Sequence, residues 1–335
     1  MTALASIALL VFAASWAASG AMTWWLRRST ILDHPVERSS HKRPVPKGAG
    51  AAVVPLVLGC WLALASAGRA PPETSAICTL AFALAALSWF NDVTDLPAAL
   101  RLAVHFLIVA VGVALLPARG HIFEGLLPPA ADTALTVLIW TWFINLFNFM
   151  DGIDGITAVE TAAIGIGLAI MAALSGGSGG EMEFPVVLAA VVLGFLPWNW
   201  HPARVFLGDV GSVPLGFIVG WLLLSEAGRG YGVSALLLPL YYIADATITL
   251  ARRILRGEKV WHAHHSHFYQ RALTRDDDHA AVVLWILLGD LGLIGAALIA
   301  MWQPLLAMGL GVAIAAALLM LLDRRGRSGG LQHQG

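Results

Sequence analysis

The chain has 335 residues and a formal net charge of −1, and it is 58% hydrophobic but only 12% charged. A water-soluble domain carries about twice that charged share, about 25%, so an ordinary soluble enzyme is excluded. The near-neutral balance carries no signal for a nucleic-acid partner, and none is expected.

Apolar runs recur along the whole length, each close to the ~20 residues a helix needs to cross ~30 Å of hydrocarbon. In chain order they cover 4–25, 49–67, 75–90, 99–116, 132–149, 157–174, 184–198, 211–227, 232–251, 281–301 and 304–322. The pattern predicts an all-α fold, a polytopic membrane bundle of about eleven helices forming a single integral-membrane domain over 1–335. The first run is too long for a signal-peptide core and has no charged stretch before it, so it reads as a retained span. Cys60 and Cys78 both lie within apolar runs, where a thiol acts as a small hydrophobe.

Lys and Arg set the orientation. Seventeen fall in one set of loops and the C-terminal tail, and only Arg69, Arg119 and Arg229 in the other. The positive-inside rule then puts the N-terminus outside, in the periplasm, and the C-terminus in the cytoplasm. The outer loops, such as "SGGSGGEMEF" at 175–184, are flexible connectors. Five chemically rich segments share the basic side.

"LDHPVERSSHKRPVPKGAG" (32–50) combines basic residues with Asp33, Arg38, His41 and closely spaced prolines and glycines. A basic juxtamembrane loop would account for the cations, but prolines fix φ and glycines permit unusual dihedrals, so the loop is shaped. "SWFNDVTDLPAALR" (88–101) puts Asp92 at the end of an apolar run, where an acid is costly without a partner, with Arg101 close by as a phosphate partner. In "NLFNFMDGIDGI" (145–156), Asn145, Asn148, Asp151 and Asp154 recur every three residues. Gly152 and Gly155 predict that the helix ends near Met150. One acid could cap the following helix, but two acids and two asparagines suit a hard cation and phosphates better.

"PWNWHPARVFLGDVGSVPLGF" (197–217) contains Asn199 and then a tight GDVGS turn feeding a helix, with Asp209 and Ser212 near its N-terminus. Such an end presents free N–H groups to an anion, although Asp beside Gly is also ordinary turn chemistry. The last segment, "RRILRGEKVWHAHHSHFYQR" (252–271), holds His262, His264, His265 and His267. It could bind a transition metal or recognise an anion. Histidines packed this closely rarely close a tetrahedral zinc shell alone, which favours the anion.

These five motifs, in this order over about 33–271, resemble the polyprenyl-phosphate N-acetylhexosamine-1-phosphate transferases of bacterial membranes. That superfamily includes the enzymes that start O-antigen and enterobacterial common antigen synthesis and the phospho-MurNAc-pentapeptide transferase. The "HxSHxYQ" run is nearest the O-antigen-initiating branch. The resemblance implies that undecaprenyl phosphate attacks the β-phosphorus of a UDP-N-acetylhexosamine, releasing UMP, at the bacterial inner membrane and with Mg²⁺, or Mn²⁺ in its place.

By the same resemblance Asp209 would be the metal ligand, and Asp92, Asp151 and Asp154 would be catalytic. Arg38, His41, Arg101, Asn145, Asn148, Asn199, His262, His264, His265 and His267 would contact substrate. Two departures matter. Asn91-Asp92 stands where the family has an Asp-Asp pair, and the histidine motif reads either as His262-Ala263-His264-His265 or as His264-His265-Ser266-His267. "HFYQR" favours the second register, hence His264 and His267 over His262. A polytopic transporter is the rival class: Asp245, Asp290 and Pro239 would be its evidence. No internal repeat supports it.

In a background lacking Cys60 and Cys78, Ser40→Cys and Thr274→Cys should resist an impermeant thiol reagent applied outside, while Ser178→Cys should label. The reverse pattern would invert the topology.

Overall fold

The computed structural model describes residues 2–29, 32–33, 44–94, 96–116, 122–123, 125–259, 264–273 and 278–332. The first three helices are α1 (Thr2–Leu26), α2 (Gly50–Ser66) and α3 (Thr74–Thr94). They are followed by α4 (Ala98–Ala114), α5 (Pro129–Phe149), α6 (Ile156–Leu174) and α7 (Gly180–Asn199). α8 (Asp209–Glu226) runs through a π-helical turn, Ala227–Tyr231, into the short α9 (Gly232–Leu237). α10 (Leu240–Leu255), α11 (Phe268–Arg271), α12 (His279–Ala300) and α13 (Pro304–Gln332) complete the described helices. The described strands, β1 (Leu32–Asp33) and β2 (Val45–Pro46), form one short antiparallel pair.

Eight helical segments among the described residues are long and apolar enough to cross a membrane, and α2 and α4 are shorter apolar helices. The protein is therefore a multi-pass helical membrane protein. Most expected run boundaries fall within a few residues of the helices, but α13 continues to Gln332, well past the end of the 304–322 run. The 232–251 run is not one span, because the chain breaks at Leu238 and Pro239 between α9 and α10. Proline fixes φ and lacks the N–H that would continue the ladder. α9 instead extends the α8 span to Leu237, giving a 29-residue segment, and α10 carries Asp245, Arg252 and Arg253.

α8 is the most enclosed of these spans, with 89% of its apolar window buried, against 17% for α1. It packs on α3 and α5, while α7 packs on α1 and α6. Leu9, Leu10 and Trp24 of α1 point outward, as expected of a helix whose solvent is lipid. Aromatic contacts fill the centre: Trp140 stacks on Phe217 at 4.6 Å and Trp61 on Phe184 at 4.3 Å.

The N-termini of α2 and α8 cross at Gly50 and Gly211. A Cβ at Gly50 would overlap the Gly211 backbone. This contact sets the distance between the segment carrying Lys47 and the one carrying Asp209. Gly50→Ala should lower stability by about 1–3 kcal/mol through overpacking, read as a lower Tm in detergent. An unchanged Tm would mean the crossing is looser than described.

Candidate active site

The site is built on a short parallel contact between two loops. Gly48 N–H and Ala49 N–H donate to Phe206 O, each at 3.0 Å, and Gly50 N–H donates to Leu207 O at 2.9 Å. Phe206 N–H donates to Pro46 O at 2.8 Å, making a bridge of Lys47 with Phe206. Gly48 (φ 120°) and Gly208 (φ 78°) supply backbone angles that other residues rarely adopt. The prolines and glycines of 44–50 and the GDVGS turn thereby bring Lys47 beside Asp209.

Asp92, at the end of α3, completes the arrangement. Its Oδ2 accepts the Val210 N–H at 3.1 Å, so an acid from another helix caps the α8 N-terminus. Carboxylates are favoured there because the first N–H groups of a helix lack partners and the dipole is positive. Lys47 Nζ lies 2.7 Å from Asp92 Oδ1 and 3.7 Å from Asp209 Oδ1. Arg101 approaches Asp209 Oδ2 at 3.5 Å. Asn91 Nδ2 donates to that same oxygen at 2.9 Å, and Asn91 Oδ1 accepts the Leu96 N–H at 2.9 Å. The asparagine that stands in place of an acid therefore orients Asp209 and secures the turn after α3.

Asn148 joins from α5, its Oδ1 accepting the Ser212 hydroxyl at 2.6 Å. Asp151, just past α5, accepts the Thr157 hydroxyl at 2.6 Å. Burial raises the Asp151 carboxyl to about 6. The Thr157 hydrogen bond and the Lys47 charge pull it down, and the charges of Asp209 and Asp92 push it up. These mutual charge effects put Asp151 in the same electrostatic field as Asp92, Asp209 and Lys47. Asn145 remains within α5, donating to Thr141 O at 2.7 Å.

Asp154, three residues on, belongs to a different group. Its Oδ2 takes His201 Nδ1 at 2.6 Å and the Ala203 N–H at 3.0 Å, and its Oδ1 lies 3.5 Å from His279 Nδ1. Burial works to raise its pKa, but the His279, Ala203 and His201 contacts outweigh it and leave the carboxyl below its ordinary value. Asn199 serves the same junction, accepting the Gly155 N–H and donating to Val205 O, each at 3.0 Å. Asp154 and Asn199 thus tie the α5–α6 turn to the 199–205 segment and to α12, rather than facing the Lys47 cluster. The three-residue spacing of Asn145, Asn148, Asp151 and Asp154 puts them on no common helix face, because α5 ends before Met150.

The histidine segment divides in the same way. His267 is buried, and its Nδ1 lies 3.1 Å from Asp245 Oδ1. Asp245 also accepts the N–H groups of Phe268 at 3.0 Å and Tyr269 at 3.1 Å, with the Tyr241 and Thr249 hydroxyls at 3.2 Å. Tyr269 donates in turn to Phe149 O at 3.0 Å, which docks the segment on the end of α5. His264 is half-buried, bonded to the Ser266 hydroxyl at 2.8 Å, and His265 is exposed. Burial, then the charges of His267 and Arg253, lower His264 to about 4, so it meets a ligand as a neutral ring at pH 7. Partial desolvation of its ring likewise lowers His265. Arg38, His41 and His262 lie outside the described residues.

Sequence reasoning did not single out Lys47, Thr157, His201 or His279, or the role of Asp245. Lys47 was one of several cations in its loop, and His201 and His279 stand far from Asp154 in the chain.

The donor set fits a hard divalent cation. Asp92, Asp151, Asp209 and Asn148 offer only oxygen, and a compact ammonium already bridges two of the carboxylates. With Arg101 beside them, the cluster offers carboxylate oxygens that could hold a cation and basic groups that could meet an anion.

The sequence profile of glycosyl transferase family 4 matches residues 74–226. A probable undecaprenyl-phosphate N-acetylglucosaminyl 1-phosphate transferase of Bacillus subtilis is 30% identical, over 77% of this chain and 74% of its own length. The decaprenyl-phosphate N-acetylglucosaminephosphotransferase of Mycolicibacterium smegmatis is 29% identical over 92% of this chain and 86% of its own. An undecaprenyl-phosphate alpha-N-acetylglucosaminyl 1-phosphate transferase of Thermotoga maritima is 27% identical over 71% and 73%. The chain belongs to this family, the polyprenyl-phosphate N-acetylhexosamine-1-phosphate transferases.

Asp151 supplies a pH test. Its folded-state pKa is raised, so the metal-free fold gains from its neutral form at low pH and loses that gain as pH rises from about 4 through about 6. Asp151→Asn should therefore raise the Tm of metal-free protein more at pH 7.5 than at pH 5. An equal shift at both would show that Asp151 is not held in an unfavourable charged state.

Proposed function

We propose that the protein transfers N-acetylhexosamine 1-phosphate from a UDP-sugar to undecaprenyl phosphate, giving the lipid diphosphosugar and UMP. The observation that carries this reading is the convergence of Lys47 from the 44–50 loop, Asp92 from α3, Arg101 from α4, Asp151 from the α5–α6 turn and Asp209 at the N-terminus of α8. Phosphoryl transfer is mostly positioning and charge neutralisation, and such a cluster supplies both. The relatives named above, with their polyprenyl-phosphate acceptors, support the same reading.

In this mechanism a lipid-phosphate oxygen attacks the donor's β-phosphorus, the bond from that phosphorus to the oxygen bridging the two phosphates breaks, and UMP leaves with that oxygen. The attacking monoester, whose second pKa is about 6, is largely dianionic at neutral pH and needs little help from a base. Asp92, Asp151 and Asp209 would hold Mg²⁺, which supplies charge neutralisation at the diphosphate when bound. Arg101 would steady a phosphate, and Asn91, through Asp209 Oδ2, keeps that carboxylate in place. His264 and His265 would offer neutral ring nitrogens to the donor's diphosphate and sugar, on a segment held by Asp245. The reaction would take place on the cytoplasmic side of the bacterial inner membrane and start a cell-envelope polysaccharide, O-antigen among the candidates.

Two of the three supports for the transporter reading have another explanation. Asp245 is committed to the histidine segment, and Pro239 marks a break between helices rather than a kink within one.

UMP release from purified protein, given undecaprenyl phosphate and a panel of UDP-N-acetylhexosamines, tests the assignment. Asp209→Asn should abolish Mg²⁺-dependent release, Asp92→Asn should cut it at least about a hundredfold, and Asn91→Asp should change it only modestly. A parent inert with every donor, but active as Asn91→Asp, would refute the mechanism.

A further inference from the structure

Lys47 sits where a divalent cation would be expected to go. Its ammonium touches both Asp92 and Asp209, at 2.7 and 3.7 Å. The Asp92 side chain is 3% exposed and that of Asp209 20%, so their charges are poorly solvated and need a counter-ion. The Lys47 side chain is 33% exposed and stands on a flexible four-carbon stem. Its backbone, in contrast, is fixed by the bridge to Phe206 and by the Gly48 hydrogen bond. The ammonium can therefore swing while the loop stays still.

The charges show what would make it swing. Among the described residues, Asp92 and Asp209 meet Lys47, Arg101 approaches Asp209, and Asp151 lies within the field of Lys47. A divalent ion entering beside Asp92 and Asp209 meets a like charge at close range, and a partly desolvated site screens that repulsion poorly. The displaced ammonium then needs an anion within reach of its stem. A phosphate ligand at the same centre provides one, and Lys binds phosphate well as a point charge.

We propose that Lys47 is an exchangeable counter-ion: it bridges Asp92 and Asp209 when no divalent cation is bound, and moves onto a substrate phosphate when one enters. The inference rests on the functional reading above, since it takes the site to bind a divalent cation and phosphates together. It assigns to Lys47 two opposite effects, competition with the metal and attraction of the phosphate. A residue that merely supported the metal site would favour the metal.

The test separates those signs. Mn²⁺ binding to substrate-free protein would be measured by electron paramagnetic resonance titration for the parent, Lys47→Gln, Lys47→Arg and Asp209→Asn. Lys47→Gln should bind Mn²⁺ about five- to tenfold more tightly than the parent, Lys47→Arg should stay near it, and Asp209→Asn should bind more weakly. In turnover, Lys47→Gln should raise the KM for a phosphate-bearing substrate about tenfold or more. A rise for the UDP-sugar alone would assign the nucleotide diphosphate as the anion, and a rise for undecaprenyl phosphate alone would assign the lipid phosphate.

A second measurement uses the unaltered protein, which has three lysines, Lys42, Lys47 and Lys259. Peptide-resolved amine labelling of Lys47 should increase with Mg²⁺ alone and fall again when the UDP-sugar or the lipid phosphate is added. Equal or weaker Mn²⁺ binding by Lys47→Gln, or Mg²⁺-independent labelling of Lys47, would overturn the inference. If Asp209→Asn also binds Mn²⁺ like the parent, the divalent-cation reading of the site fails with it.

Discussion

The contact of Asp92 with the first turn of α8 is the constraint on which the rest of the site depends. Three carboxylates at the edge of an apolar bundle would repel one another and resist desolvation unless each had a partner. Asp92 meets this by taking the Val210 N–H with one oxygen and Lys47 with the other. It ties α3 to α8, and through Lys47 it draws in the 44–50 loop, whose close approach requires glycine at 50 and 211. Asp209 is then held by Asn91 and by the neighbouring Lys47 and Arg101.

Two other acids do structural work with the same physics. Asp154 gathers His201, Ala203 and His279 around the α5–α6 turn, and Asp245 gathers five donors around the start of α11. A buried carboxylate accepting several hydrogen bonds is a strong local organiser, because every donor it satisfies also loses its own cost of burial. The loops at this end of the bundle are thus shaped by anchored acids, leaving Lys47, Arg101, His264 and His265 partly exposed at the surface they build. Asp245 and His267 illustrate the division: one buried pair positions the segment on which the more accessible histidines stand.

Much of this protein is legible in its amino-acid sequence. Runs of ~20 apolar residues must be helices in lipid, since no other open structure satisfies its backbone there, and most run boundaries agree with the helices to within a few residues. The glycines after Asp151 and Asp154 mark the end of α5, and GDVGS marks the start of α8. The five motifs, in order, also point to the family to which the chain belongs. Periodicity does not foresee the break at Pro239, because apolar residues continue on both sides of it.

What only the tertiary structure decided is which polar residues face one another. Asp151 and Asp154 look equivalent in "MDGIDG", yet one shares the field of Asp209 and the other is enclosed by histidines 47 and 125 positions away. Nor does Lys47, one cation in a basic loop, announce that it lies between Asp92 and Asp209. Side-chain chemistry and local turns are written in neighbouring residues and can be read from them. Charge pairing is set by distances of a few ångströms between segments well separated in sequence, and those distances exist only once α2, α3 and α8 have packed.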